Sequence, residues 1–285
     1  MGDFSQNGIV ANLHDFSIRS TEQIEKDLLK FSKERKLELI LPCLYSELEG
    51  DALPNIVNEI SKTKYLNHVI IGLDQANKAQ AKKAWKFFKK LKTPFSILWN
   101  DGPKLKKLDK ELKGIDLAPK QMGKGRNVWY CIGMAIARDE ARSVALHDCD
   151  IKTYDRRMLA KLFYPVVNPL FNFEFCKGYY PRVADNKMNG RVARLLVFPL
   201  LNAFEKTIGN SEYLDFMKSF KYPLAGEFSF RRNILPELRI SSDWGIEIGI
   251  LSEMQRNFSP QNICQVDLAD TYDHKHQDLS IDDEN

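Results

Sequence analysis

The chain has 285 residues, of which 44% are hydrophobic and 28% charged, and its formal net charge is +4. This composition is typical of a soluble globular protein, and the length allows one large α/β domain or two small ones. No apolar run approaches the roughly 20 residues that span a bilayer, and the N-terminus has neither a secretory signal nor a myristoylation site, so we expect a cytoplasmic protein. The five cysteines are scattered without a C-x-x-C pair, which argues against a disulfide framework or a zinc knuckle.

Short apolar segments alternate with helical patterns in the first half of the chain. After a helix that begins at Ser20 or Thr21, the predicted strands cover residues 37–44, 68–73 and 95–99, and we expect Pro42 to end the first of them. A helix entered through "GKG" then precedes a fourth strand that runs into "HDCD". This alternation predicts βαβ units and a mostly parallel sheet flanked by helices.

The second half of the chain is less regular. We predict strands within "FEFCKGYYPRV", "GEFSFRR" and "NICQVDL", a helix in "DWGIEIGILSEMQRN", and a helix that is bent or started by Pro199. We interpret the chain as one domain with two halves, residues 1–152 and residues 153–285.

Residues 78–113 are rich in lysine, which is a pattern found on surfaces that bind nucleic acid or membranes. The same segment also reads as the solvated face of a helix whose apolar residues recur at helical spacing. Because acidic residues nearly balance the charge of the chain, we favour the solvated face and expect neither nucleic acid nor membrane as a partner.

Asp148 and Asp150 follow a buried strand one residue apart, so they are expected to share one face. Two carboxylates held that close raise each other's pKa unless a positive charge lies between them, and carboxylate oxygens suit Mg²⁺ or Mn²⁺. Because ligands bind beyond the carboxyl ends of parallel strands, the loops after residues 37–44 and 68–73 should converge on the same place. A phosphatase of the haloacid dehalogenase type is excluded, because its D-x-D lies on the first strand and Lys152 stands where that motif has Thr or Val.

Further segments carry groups that suit an anionic ligand or a metal. Lys124 lies between two glycines at a helix start, where backbone N–H groups and an ammonium can approach a phosphate. "DHKHQDL" offers two candidate metal-binding histidines, and "NGRVARLL" offers arginines that hold phosphate or carboxylate in a bidentate manner. Glu227 directly follows a glycine and Glu247 lies two residues from a glycine on either side, which permits close backbone approach.

The order of these motifs resembles the glucosyl-3-phosphoglycerate synthase family over roughly residues 37–279. The motifs are G-K-G, D-x-D, G-R-V-x-R-L, P-L-A-G-E, W-G-I-E-I-G and a late histidine. The family consists of retaining glycosyltransferases with the GT-A fold and is related to mannosyl-3-phosphoglycerate synthases. The resemblance implies a GT-A-like α/β fold, a nucleotide-sugar donor, a small anionic acceptor of the phosphoglycerate type, and Mg²⁺ or Mn²⁺ as cofactor.

The resemblance also assigns roles to individual residues of this chain. The implied metal ligands are Asp148, Asp150 and His274. The implied catalytic residues are Asp150, Lys124 and Glu247. The implied donor-binding residues are Pro42, Cys43, Leu44, Glu47, Lys124 and Asp148, and the implied acceptor-binding residues are Gly190, Arg191, Val192 and His276. This chain departs from the family pattern at Ala193, where relatives have threonine, and at His276, where they have asparagine, and both changes fall on acceptor phosphate contacts.

We therefore expect a metal-dependent transfer of glucose from a nucleoside diphosphate sugar to 3-phosphoglycerate or a similar glycerate. The alternatives left open are mannose transfer from GDP-mannose, a sugar nucleotidyltransferase, and a non-catalytic nucleotide- or RNA-binding protein. A homodimer is one option for the assembly, and the sequence does not decide the oligomeric state.

Overall fold

The computed structural model describes residues 8–14, 19–184, 187–242 and 245–273. The strands of its main sheet are, in chain order, β1 (Ala11–Leu13), β2 (Leu37–Leu44), β3 (His68–Asp74), β4 (Phe95–Trp99), β5 (Ser143–Leu146), β6 (Phe175–Tyr179), β9 (Phe228–Arg231) and β10 (Ile263–Asp267). A short hairpin is formed by β7 (Val183–Ala184) and β8 (Lys187–Met188).

Helices flank the main sheet. The α-helices are α1 (Thr21–Phe31), α2 (Ala52–Ser61), α3 (Lys78–Phe88), α4 (Pro103–Lys113), α5 (Lys124–Arg138), α6 (Arg156–Val167), α7 (Phe198–Ile208), α8 (Glu212–Lys218) and α9 (Ile246–Asn257). Shorter turns of 3₁₀ type cover Tyr45–Glu49, Arg232–Glu237 and Pro260–Asn262, and a π-helical segment, Ala193–Val197, leads into α7. Within the described residues, no helix has the length and apolar character needed to cross a bilayer.

The strand order of the main sheet is β1-β10-β6-β9-β5-β2-β3-β4 within the described residues. Neighbouring strands are parallel except for β9, which is antiparallel to both β5 and β6. The predicted class, a mostly parallel sheet flanked by helices, is confirmed. The division of the chain near residue 152 stays a prediction, and β5 before it pairs directly with β9 after it.

The sheet is apolar on both faces, which explains why its central strands read as continuous hydrophobic runs. Leu39 and Leu41 lie in one hydrophobic cluster with buried residues of α1, α2 and α6. Ile40, between them, lies in a second cluster with buried residues of α5, α8 and α9. Successive side chains of β2 therefore point to opposite cores, as the twofold period of a strand requires.

Helix starts agree with the capping signals in the sequence. Ser20 caps α1 in a capping box with Gln23, so the predicted start of that helix is confirmed. Asn77 forms the same arrangement with Gln80 at the start of α3. Pro199 does not begin a separate helix, because the π-helical segment Ala193–Val197 continues directly into α7. The N–H of Phe198 bonds to the Ala193 carbonyl five residues back, and such a π-turn next to a proline is a usual cause of a helix bend.

The expectation that Pro42 ends the first strand is wrong. β2 continues to Leu44, and Pro42 is in register with Gly72 of β3. The carbonyl of Ile40 accepts a hydrogen bond from the His147 N–H on the β5 side of β2. Pro42 has the same parity as Ile40, so its nitrogen faces the side where β5 has already ended at Leu146. The proline therefore removes no hydrogen bond from the ladder.

The contact between β3 and α5 predicts opposite effects for two glycine substitutions. A Cβ at Gly72 would come within 1.7 Å of Oδ1 of Asn127, whose Nδ2 donates a 2.8 Å hydrogen bond to the Gly72 carbonyl. Gly72→Ala should therefore destabilise the fold by about 1–3 kcal/mol through overpacking. Gly133 lies inside α5 with nothing within 4 Å of a Cβ, so Gly133→Ala should stabilise by about 0.5–1 kcal/mol. Urea unfolding of both variants measures the two free energies, and equal effects would contradict this packing.

Candidate active site

The carboxyl ends of β2, β3 and β5 open into one cavity of about 460 Å³. Its walls include Pro42 and Cys43 from β2, Asp74 from β3, and Asp148 and Asp150 after β5. The volume lies in the range of small-molecule and cofactor sites. The predicted convergence of these three strand ends is confirmed.

The two aspartates lie beyond the strand rather than on it, because β5 ends at Leu146. The expectation that both side chains share one face of a regular strand is therefore wrong, because neither aspartate belongs to β5. Both side chains nevertheless line the same cavity, together with Leu44, the last residue of β2, and Glu47 from the turn after it. The carboxylates of Glu47, Asp148 and Asp150 thus face one space.

Lys124, the first residue of α5, places its ammonium between two of the carboxylates. Its Nζ lies 2.6 Å from Oδ1 of Asp148 and 3.0 Å from Oε1 of Glu247. Burial alone would lower the pKa of Lys124, but the two negative charges outweigh it and raise that pKa above its ordinary value. The side chain therefore stays protonated at neutral pH and compensates the charge of Asp148.

The pKa of the Asp150 carboxyl is raised above its ordinary value. Burial, followed by the charges of Asp148 and Glu47, raises the pKa of Asp150 to about 6, although Lys124 acts in the opposite direction. At pH 7 the Asp150 carboxylate is ionised, and the negative charges of Asp148 and Glu47 repel it. This cavity therefore favours the approach of a further positive charge.

A glycine lets the backbone approach the lysine–aspartate pair. A Cβ at Gly226 would lie 2.3 Å from Oδ2 of Asp148 and 2.9 Å from Nζ of Lys124. The P-L-A-G-E segment needs glycine at this position because a side chain would displace the pair. The next residue, Glu227, is fully buried.

The donor set of the cavity fits a hard divalent cation. Asp148 and Asp150 offer carboxylate oxygens, which are the ligands that Mg²⁺ and Mn²⁺ prefer. Burial and the neighbouring carboxylates together raise the pKa of Asp150, so a cation at this place would relieve an unfavourable negative charge. In the part of the chain that the structure describes, no group of three His, Cys, Asp or Glu side chains could hold a metal ion by itself. A complete ligand set would thus need a group from the substrate or from a residue outside that part.

The two histidines of "DHKHQDL" lie outside the described residues. Asp273, which directly precedes His274, is placed next to the segment that follows the aspartates. Its backbone carbonyl accepts a 2.9 Å hydrogen bond from the N–H of Lys152, and its own N–H donates a 3.1 Å hydrogen bond to Oγ1 of Thr153. The chain therefore returns to within a few residues of Asp150 before it reaches His274.

The predicted acceptor residues Gly190, Arg191 and Val192 do not line the cavity. They follow the β7–β8 hairpin, and Arg191 and Val192 are exposed. Gly190 has a φ of +74°, which favours glycine, and it packs against Arg182. Ala193, where relatives have threonine, is buried at the start of the π-helical segment. The structure thus brings the donor and metal candidates together and leaves the acceptor turn outside that cavity.

Several cavity residues were missed by the sequence analysis. Asp74 ends β3, and burial raises its pKa above the usual range. Gln75 follows it with a φ of +54°, a left-handed conformation that is uncommon for a residue other than glycine. Asn127 lies one helical turn after Lys124 on α5. Asp74 could have been found from the sequence, because it ends one of the strands whose loops were predicted to converge.

The chain matches no protein-family model. It is 43% identical over 279 residues to the glucosyl-3-phosphoglycerate synthase of Persephonella marina, a match that covers 98% of this chain and 69% of the relative. It is 40% identical over 283 residues to the enzyme of that name from Methanococcoides burtonii, with coverage of 98% and 68%.

Solved structures agree on the fold. The glucosyl-3-phosphoglycerate synthase of Mycobacterium tuberculosis, crystallised with Mn²⁺, UDP-glucose and phosphoglyceric acid, matches with a TM-score of 0.66 and 19% identity. That match covers 95% of this chain and 81% of the other. The enzyme was also crystallised with Mg²⁺ and UDP.

The sheet and its flanking helices have the GT-A fold. By its similarity to the two relatives, the chain belongs to the glucosyl-3-phosphoglycerate synthase family. The resemblance stated from the sequence motifs is thereby confirmed.

Proposed function

We propose that this protein transfers glucose from UDP-glucose to 3-phosphoglycerate, with retention at the anomeric carbon and with Mg²⁺ or Mn²⁺ as cofactor. The observation that best supports this function is a cluster of charged side chains that lines a ligand-sized cavity at the strand ends. The cluster consists of Lys124, Asp148, Asp150 and Glu247. Family membership supports this reaction over mannose transfer, nucleotidyl transfer and non-catalytic binding. The cytoplasmic location and the homodimer stay predictions.

We assign the cation to Asp148 and Asp150, with His274 as a third ligand. Support for His274 comes from Asp273, which precedes it and hydrogen-bonds beside Lys152 and Thr153. A cation bound there supplies Lewis-acid stabilisation of the leaving diphosphate. The role of Lys124 follows from its raised pKa, since an ammonium that stays charged stabilises negative charge developing on the same diphosphate.

We assign the donor nucleotide to Pro42, Cys43, Leu44 and Glu47, which line the cavity on the β2 side. Asp74 and Gln75 line the adjacent wall and are added to this group by the structure. Glu247, at the start of α9 and paired with Lys124, is proposed to face the donor sugar and the acceptor. We propose no enzymatic nucleophile. Attack by the acceptor on the same face as the leaving diphosphate gives retention without one.

The direct test of this function is a transfer assay with product analysis. UDP-glucose, 3-phosphoglycerate and Mn²⁺ should give glucosyl-3-phosphoglycerate and UDP, with no pyrophosphate, and a chelator should stop the reaction. Asp150→Asn should lower kcat by at least about 100-fold, because it removes a charged metal ligand. Asp116→Asn, at an exposed aspartate, is the matched control and should keep full activity. Faster transfer from GDP-mannose, or full activity of Asp150→Asn in chelator, would contradict the proposal.

The acceptor assignment makes a separate prediction. Arg191 is exposed at the turn after the hairpin, and we propose that it holds an anionic group of the acceptor with help from the backbone of Gly190 and Val192 and from His276. Losing a charge-assisted contact worth ~1.5–3 kcal/mol should raise the acceptor KM of Arg191→Ala about 10- to 100-fold.

The donor KM of Arg191→Ala should stay within about twofold, because the donor cavity does not include this turn. Lys206→Ala, an exposed cation on α7, is the control for loss of surface charge. An unchanged acceptor KM for Arg191→Ala would remove the acceptor from this turn. Because Ala193 lacks the hydroxyl of relatives, plain glycerate is the competing acceptor to compare in the same assay.

A further inference from the structure

A buried carboxyl group lies directly behind the lysine–aspartate pair. Glu227 has no exposed surface and follows Gly226, where a Cβ would lie 2.3 Å from Oδ2 of Asp148 and 2.9 Å from Nζ of Lys124. Its two oxygens accept hydrogen bonds from two tyrosine hydroxyls, at 2.7 Å from Tyr180 and 2.9 Å from Tyr272. Both tyrosines are themselves buried.

The two tyrosine rings stack on each other. Their centroids are 3.5 Å apart and their planes differ by 4°. They come from distant parts of the chain, since Tyr180 follows β6 and Tyr272 follows β10. Glu227 therefore holds together two segments that are distant in the sequence, both from each other and from Glu227.

The Tyr180 side of this arrangement leads to the acceptor turn. The ring of Tyr180 packs edge-on against Tyr222 at 5.4 Å, and the hydroxyl of Tyr222 accepts a 3.2 Å hydrogen bond from Nη1 of Arg182. The carbonyl of Arg182 accepts a hydrogen bond from the N–H of Asn189, the residue before Gly190, and a Cβ at Gly190 would lie 3.6 Å from Cβ of Arg182.

The Tyr272 side leads to the metal candidates. Tyr272 is followed by Asp273, whose backbone hydrogen-bonds to Lys152 and Thr153 just after Asp150. A shift of Tyr272 would therefore move the chain at the point where it passes the aspartates.

We propose that Glu227 is a positioning residue that holds the metal side and the acceptor side of the site in register through Tyr272 and Tyr180. This inference rests on the proposed function. Burying a carboxyl group is unfavourable, and burial together with the charge of Asp148 raises the pKa of Glu227 to about 7. An apolar residue would fill this space at lower cost, but it would offer no acceptor to either hydroxyl.

Single-hydroxyl variants separate the two sides. Tyr272→Phe should weaken Mn²⁺ binding several-fold, measured by electron paramagnetic resonance on the protein with UDP, and should leave the 3-phosphoglycerate KM within about twofold. Tyr180→Phe should raise the 3-phosphoglycerate KM several-fold and should leave the Mn²⁺ affinity within about twofold. Glu227→Ala should impair both, and Glu227→Gln, which keeps the shape and one acceptor oxygen, should recover part of each loss.

The control is a tyrosine that donates to a buried carboxylate away from the cavity. Tyr130 donates to Oδ1 of Asp109 at 2.7 Å, so Tyr130→Phe loses a comparable hydrogen bond. It should lower the melting temperature without changing Mn²⁺ affinity or the acceptor KM. If the Tyr180 and Tyr272 variants behave like Tyr130→Phe, Glu227 only stabilises the fold and the proposal is wrong.

Failure of the proposed function is recognised separately. If the wild-type protein transfers no glucose, the proposed reaction is wrong. Electron paramagnetic resonance of bound Mn²⁺ and calorimetry of 3-phosphoglycerate binding would still test the role of Glu227. If Glu227→Ala does not fold, the two phenylalanine variants, which each remove one oxygen, carry the test alone.

Discussion

The contact between Lys124 and Asp148 is the interaction on which the rest of the site depends. Nζ of Lys124, the first residue of α5, lies 2.6 Å from Oδ1 of Asp148 in the loop after β5. The charge of Lys124 also lowers the pKa of Asp150, but burial and the neighbouring carboxylates outweigh that effect. The lysine compensates one aspartate, while burial and neighbouring carboxylates raise the pKa of the other. A divalent cation would complete the charge balance, which connects the electrostatics of the site to the chemistry of the family.

Backbone features of the fold make this contact possible. β2, β3 and β5 are parallel and end at one edge, so their loops share a cavity. Glycines supply the close approaches, with Gly72 under Asn127 of α5 and Gly226 against the lysine–aspartate pair. β9 runs antiparallel between β5 and β6, and it directly follows Gly226 and Glu227. The antiparallel strand thus brings the second half of the chain against the aspartates.

Local patterns predicted the first half of the fold and the convergence of its strand ends, because periodicity and strand-end chemistry are properties of neighbouring residues. The continuation of β2 through Pro42 was not predicted, since it depends on where the partner strand stops. Asp74 was missed although it directly follows a predicted strand. The partners of Glu227 lie 47 and 45 residues away along the chain, so no spacing rule could pair them. The roles of the site residues stay predictions, and those of His274 and His276 concern residues outside the described part.

Calorimetry of Mn²⁺ binding measures directly whether a divalent cation displaces a proton from Asp150 near pH 6. Titrations at pH 6 in buffers of different ionisation enthalpy count the protons that are released to the buffer. An imidazole ligand such as His274 ordinarily titrates near 6.5 and releases protons over the same range, so the count for Asp150 is taken from the His274→Ala variant. Because the folded pKa of Asp150 is about 6, about half a proton should leave per Mn²⁺ in that variant at pH 6 and almost none at pH 8, with affinity rising between. A Mn²⁺ affinity that is constant from pH 5 to 8, with no proton released at pH 6, would contradict the account.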